Sequence, residues 1–287
     1  MRIGMVSFIN TAPLCEVWRE SVHEPAWRVI EAPPRALCQL LAAGDLDLGL
    51  VSSQEYAVRP EGYAILADLS LSASGPVGSV FLLSQRPVSE LAGETVLLSP
   101  QSQTSNSLAA VVCEELLGVR PRFVLPGPGP EPPAAGRVAI GDQALQLAAT
   151  GAWPHQLDLA EVWRRHTGLP FVFALWVVRR QVWQDRPGEV LAVHRQLGRC
   201  AAEGRARLAE IGRKVAPRIP MTPEACQRYL AGIEYDLGPA KIRALERYFA
   251  ILIGRGEASP RALPLQLIGG QLPVPERAPA LPCGLCP

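Results

Sequence analysis

The spacing of apolar and polar positions changes period along the chain. Arg2–Val6 is apolar after its first residue and predicts an opening strand. Residues 33–43 place Leu37, Leu40 and Leu41 on one helical face, and Gly44 supplies a stop. Residues 45–51 alternate, with Leu46, Leu48 and Leu50 on one side, so they predict a strand ending at Ser52-Ser53. Residues 63–66, 77–83 and 95–98 predict further strands. Leu108, Val111, Val112 and Leu116 form a helical stripe, residues 123–125 a short strand, and the Pro- and Gly-rich residues 126–136 a loop. Val138-Ala139-Ile140 predicts a buried strand ending at Gly141-Asp142, residues 158–165 a helix, and residues 171–178 a long apolar strand. Beyond Pro187 the pattern turns helical near 187–211, 223–231 and 239–253, and residues 256–287 predict an extended arm or loose tail.

Alternating strands and helices imply an α/β fold of mainly parallel sheets covered by helices. With 287 residues there is enough chain for two lobes. The expected division is residues 1–84 plus 177–287 as one lobe and 85–176 as the other, joined by crossing strands. Two such lobes resemble the type II periplasmic-binding-protein fold. Ligands of such sheets sit outside the carboxyl ends of the strands, so polar residues there are the candidates.

Charge and composition narrow the partners. The net charge of +1 gives no broad basic field for nucleic acid or an anionic membrane. The longest compact apolar run, 171–178, is far short of the ~20 residues of a spanning helix. The opening residues lack a signal-peptide pattern, so the expected location is the cytoplasm. Cys15, Cys38, Cys113, Cys200 and Cys226 are scattered in apolar segments and are expected to be reduced, buried thiols. Cys283 and Cys286 form a lone CxxC without the second pair a zinc site needs.

Neutral donors cluster at four strand ends: Ser7 to Leu14, Ser52 to Tyr56, Ser74 to Val80, and Ser99 to Ser105. Hydroxyls and amides orient an anion without a buried countercharge. Ser102, Gln103, Thr104 and Ser105 precede a helical stripe, so they serve equally as caps or as a carboxylate cradle at a helix start. Thr11, Ser52, Ser53, Gly78 and Asp142 complete the candidate binding set. Asp142 serves equally as a strand-end cap or a tie between lobes. Phe171, Phe173 and Trp176 are expected in the core, and His23, His155, His166 and His194 on the surface or in helices.

The same strings resemble a known family. Ser7-Phe8-Ile9-Asn10-Thr11-Ala12-Pro13-Leu14, Val51-Ser52-Ser53-Gln54-Glu55-Tyr56-Ala57 and Asp68-Leu69-Ser70-Leu71-Ser72-Ala73-Ser74-Gly75-Pro76-Val77-Gly78-Ser79-Val80 resemble segments of chorismate dehydratases. So do Ser102-Gln103-Thr104-Ser105, Ile140-Gly141-Asp142-Gln143-Ala144-Leu145 and Thr167-Gly168-Leu169-Pro170-Phe171-Val172-Phe173-Ala174-Leu175-Trp176. These strings fall in the family's order over about residues 1–180. The resemblance implies loss of water from chorismate to give 3-[(1-carboxyvinyl)oxy]benzoate on the futalosine route to menaquinone. It implies no metal or organic cofactor, and it singles out Asn10 and Ser79 as functional positions.

Two other readings stay open: an anion-binding protein of the same fold without chemistry, and the sister dihydroxynaphthoate synthase. The synthase opens with a Ser-Pro-Cys-Pro-Asn-Asp type segment absent here. The proton-abstracting base is open too. Glu55 and Asp142 are the motif carboxylates, and a substrate carboxylate is the alternative. Arg86 lies near the expected crossing. Monomer and homodimer are both compatible with the sequence.

Overall fold

The computed structural model describes residues 1–270; Cys283 and Cys286 lie outside them. The chain runs β1 (Arg2–Val6), α1 (Ala12–Ser21), β2 (Arg28–Ala32), α2 (Pro34–Ala43), β3 (Leu48–Ser52), α3 (Ser53–Val58) and β4 (Tyr63–Ala73). A second run follows: β5 (Val80–Ser84), β6 (Thr95–Leu97), α4 (Gln103–Val111), β7 (Arg122–Val124), β8 (Gly136–Ile140), α5 (Gly141–Ala149), β9 (His155–Asp158) and α6 (Leu159–Thr167). The return comprises β10 (Phe171–Arg179), α7 (Arg180–Asp185), α8 (Pro187–Ala206), α9 (Leu208–Val215), α10 (Pro223–Ala231), α11 (Pro239–Gly254) and β11 (Leu267–Ile268).

Two sheets result, ordered β11-β4-β10-β3-β1-β2 and β7-β6-β8-β5-β9. The predicted α/β alternation holds, but the sheets are mixed. β1 pairs β2 and β3 in parallel, whereas the returning β10 runs antiparallel to β3 and β4. In the second sheet β6 is parallel to β7 and β8, while β5 is antiparallel to β8 and β9. Strands that cross between lobes enter their new sheet from the far side, which forces the reversal.

Strand membership also corrects the expected lobe boundaries. β5, assigned by sequence to the first lobe, belongs to the second sheet, and residues 171–176 of β10 belong to the first. The crossings therefore fall near residues 74–79 and 168–170. β3 carries a further correction: alternation predicts one wet face, yet all five of its residues are buried. It is central in its sheet, between β1 and β10, and helices α2 and α3 pack against it, so its side chains as well as its edges are covered.

An aromatic cluster closes the second crossing. Trp163 of α6 meets Phe171 edge-on at 5.4 Å, and Tyr248 of α11 lies 5.0 Å from the same ring. Trp163 Nε1 donates to Pro170 O at 3.0 Å, and Tyr248 Oη donates to Thr104 O at 3.2 Å. The helical return thus anchors both lobes. Gly44 ends α2 with φ of 86°, as its position predicts.

The five described cysteines are all buried and free. Burial pushes Cys15 up to about 11, and Cys38 and Cys113 up to about 12, which leaves them poor thiolates. His194, on α8, is buried with Nε2 2.7 Å from Ala67 O. Burial lowers its pKa below the ordinary 6.5. Its unfolded form therefore takes up a proton at higher pH than its folded form. Stability is expected to fall as pH drops through 6.5 toward the folded pKa. Thermal melts across that range should show this slope in the wild type and a shallower one in His194→Gln.

Candidate active site

Between the sheets lies a hollow of about 530 Å³, counting its open mouth. Its polar lining is Asn10, Ser52, Ser72, Ser79, Ser102 and Ser105. Phe8, Leu71, Val77, Ile140, Phe173 and Ile233 are among its apolar walls. Among the described residues, none that lines it is an acid, a base or a tyrosine. Any anion held there is met by hydroxyls, an amide and backbone N–H groups.

Those N–H groups come from helix starts. Ser102 caps α4, its Oγ accepting from Ser105 N at 3.2 Å and donating to Ser105 Oγ at 3.1 Å. The first amides of a helix have no partner within it, and the helix dipole makes them an anion cradle. Gly141 opens α5 at the same hollow with φ of 55°. A Cβ there would stand 2.6 Å from the Phe8 ring, so only glycine lets the second lobe close on the first.

Asn10 sits in a braced turn. Thr11 Oγ1 donates to Val6 O and Phe8 O at 2.8 and 2.7 Å. Tyr235 Oη donates to Asn10 O at 2.6 Å. Ile9 N donates to Asp142 Oδ1 at 2.9 Å. Asn10 Oδ1, by contrast, is buried with no hydrogen-bond partner among the described residues. Its backbone is fixed from several directions while the end of its side chain stays uncommitted. Ser79 is fully buried and its Oγ accepts from Tyr229 Oη at 2.8 Å.

Several expected ligands face elsewhere. Thr11 is consumed by the turn. Thr104 Oγ1 accepts from Gln54 N at 3.1 Å and lies 3.3 Å from Ser53 Oγ, so these two hydroxyls clasp α3 to α4 behind the hollow. On a helix Thr104 points away from the side shared by Ser102 and Ser105, a direction that motif reading ignores. Gln103 and Gly78 do not line the hollow either. Gly78 N donates to Asp158 Oδ2 at 2.7 Å, pinning the first crossing to the cap of α6. Asp142 ties the lobes through Ile9 and stands 3.6 Å from Arg218. Burial raises its pKa, with the Ile9 bond and Arg218 opposing.

Glu55, offered as a base, is corrected. It is buried, paired with Arg59 at 2.5 Å, accepts from Tyr63 Oη at 3.0 Å, and does not line the hollow. Arg86 pairs with Glu94 on the surface of the second sheet. Phe171 and Trp176 are core residues as expected, whereas Phe173 is half-buried and walls the hollow. Sequence reasoning missed Tyr229 and Tyr235, since the helical return carries no strand-end signal. The available hint was a polar-tipped aromatic in each case, Tyr229 on α10 and Tyr235 in the connection from α10 to α11.

Two sheets with a hollow between them, met by helix starts, define a two-lobed α/β protein with a cleft between its lobes. Solved structures agree on this fold. An Archaeoglobus fulgidus protein matches with a TM-score of 0.67 at 15% identity, covering 89% of this chain and 97% of that one. The alkanesulfonate-binding protein of Xanthomonas axonopodis pv. citri matches with a TM-score of 0.62 at 14% identity, over 91% and 94% of the two chains. The periplasmic aliphatic sulphonate binding protein of Escherichia coli gives 0.61 at 15% identity, over 98% and 96%.

The chain belongs to the menaquinone-biosynthesis family, whose model matches residues 1–253. The chorismate dehydratase of Thermus thermophilus is 32% identical over 252 residues, covering 82% of this chain and 89% of that one. Among the described residues no helix is long and apolar enough to cross a membrane.

Proposed function

We propose that this protein is a chorismate dehydratase, a cytoplasmic hydro-lyase that takes water from chorismate to give 3-[(1-carboxyvinyl)oxy]benzoate. One observation carries the reading: Asn10 and Ser79, far apart in sequence, line one hollow in a chain that is 32% identical to an enzyme of that name. Chorismate carries two carboxylates, a ring hydroxyl and a ring C–H that is vinylogous to the ring carboxylate. Loss of that proton spreads charge onto the ring carboxylate, and departure of the hydroxyl then leaves an aromatic ring.

The start of α4, with Ser102 and Ser105, holds a carboxylate and takes up the developing charge. Asn10 and Ser79 orient the leaving hydroxyl or the enolpyruvyl arm. Phe8 and Phe173 hold the ring and exclude water. Since no described residue lining the hollow is a competent base, the substrate's enolpyruvyl carboxylate removes the proton and passes it to the departing hydroxide, which leaves as water; the protein's part is to hold the groups in reach.

Incubating the purified protein with chorismate and following the product by ultraviolet absorbance and mass spectrometry tests the reading. Product formation is expected; chorismate that binds but stays intact would indicate a binding protein without chemistry. Glu55→Gln separates the base assignments. With Glu55 tied to Arg59 and Tyr63, kcat is expected to stay within a few fold of wild type while the melting temperature falls. A folded but inactive Glu55→Gln enzyme would restore Glu55 as the base.

A further inference from the structure

We propose that Tyr229 is a positioning residue that makes Ser79 an obligate donor to the ligand, an inference that rests on the dehydratase reading above. Tyr229 comes from α10, in the helical return, and Ser79 from the segment leading into β5. The phenol donates to Ser79 Oγ at 2.8 Å. A serine hydroxyl has one proton to give and two lone pairs to receive. With one lone pair held by Tyr229, the serine proton is turned away from the phenol. Among the described residues Ser79 Oγ makes no other hydrogen bond, and Ser79 lines the hollow. The hollow is therefore where that proton finds an acceptor.

The ring is fixed independently of the hydroxyl. Gly78 packs on its edge, where a Cβ would stand 3.6 Å from Tyr229 Cδ2. The backbone at Gly78 is held in turn by Asp158. Burial raises the Tyr229 pKa, with the Ser79 bond and nearby Asp142 as smaller influences, so the phenol keeps its proton over any working pH. It thus always has a proton to give, and in the structure it gives that proton to Ser79 Oγ. Tyr229 does not line the hollow, so its influence passes through Ser79.

A double-mutant cycle reads this out. Tyr229→Phe removes one oxygen and keeps the ring. It is expected to lower kcat for chorismate about tenfold, the kinetic equivalent of one ordinary hydrogen bond, with KM within about twofold. In a Ser79→Ala background the same change is expected to lower kcat no further. Wild-type kcat in Tyr229→Phe, or an equal loss in both backgrounds, would overturn the assignment. A fluorinated tyrosine at position 229, which ionises at lower pH while keeping the ring's shape, supplies a second test that does not depend on how Tyr229→Phe folds. Its kcat is expected to fall on the alkaline side where wild type stays level, and superimposable pH profiles would refute the proposal. Wild-type protein that leaves chorismate unchanged would remove the dehydratase reading and this inference together, whereas wild-type turnover with indifferent variants removes only the role of Tyr229.

Discussion

Replacing Asn10 with alanine is expected to lower kcat on the order of 10²–10³-fold, the usual cost of removing one preorganised donor, about 2.7–4 kcal/mol. The fold should hardly notice. The turn is fastened through the Asn10 carbonyl by Tyr235, through Thr11 Oγ1, and through Ile9 N to Asp142, and alanine leaves all of these contacts in place. Asn10 Oδ1 bonds to none of the described residues, so its loss orphans no neighbour among them. The melting temperature should stay within a few degrees while turnover collapses. Turnover kinetics and a thermal melt on the same preparation check this. An Asn10→Ala enzyme within threefold of wild-type kcat would exclude Asn10 from the chemistry.

The largest structural effect is expected from Gly204→Ala in the last turn of α8. Helix propensity alone favours alanine there by about 1 kcal/mol. Packing opposes it: a Cβ on Gly204 would lie 1.9 Å from Pro13 O of α1. A backbone carbonyl has no rotamer to move into, so α1 must back away from α8. Overpacking of this kind costs roughly 3 kcal/mol or somewhat more. The clash wins, for a net loss of about 2 kcal/mol and a melting temperature lower by roughly 5 °C. Gly188, in the first turn of the same helix, meets nothing within 4 Å, so Gly188→Ala should be neutral or slightly stabilising. Calorimetry on the pair checks the contrast. Equal melting temperatures would mean that α1 and α8 are looser than the structure has them. Because α1 follows directly from the Asn10 turn, Gly204→Ala should also reduce activity.

What the sequence made legible follows from what local patterns encode. β1, α2 and β10 are visible because apolar period and glycine stops are local properties. β2 and α1 escaped notice: β2 is a short, partly exposed strand, and α1 begins inside a polar motif that drew attention to its chemistry. The split of the long return helix at Arg207 follows Gly204, but a lone glycine inside a helical pattern reads as tolerated rather than as a stop.

The site was legible in part for a similar reason. Strand ends are recognisable, so Asn10, Ser52, Ser79, Ser102 and Ser105 were found, and they share one hollow. Which side of its helix a residue faces at a contact between lobes is a tertiary property. Thr104 and Ser53 share the hydroxyl chemistry of the lining, and Asp142 follows the lining residue Gly141, but all three are spent on clasping the lobes. Tyr229 and Tyr235 arrive from some 150 and 225 residues away, a distance no motif spans.

A crystal structure of the Asn10→Ala variant soaked with chorismate tests the central claim most directly. Slowed turnover should leave the substrate in place. The account predicts chorismate between Phe8 and Phe173, one carboxylate against the first amides of α4 beside Ser102 and Ser105, and Ser79 Oγ within hydrogen-bond distance of the ligand. Chorismate bound outside this hollow, or a side-chain carboxylate or imidazole within reach of the ring C–H, would contradict it.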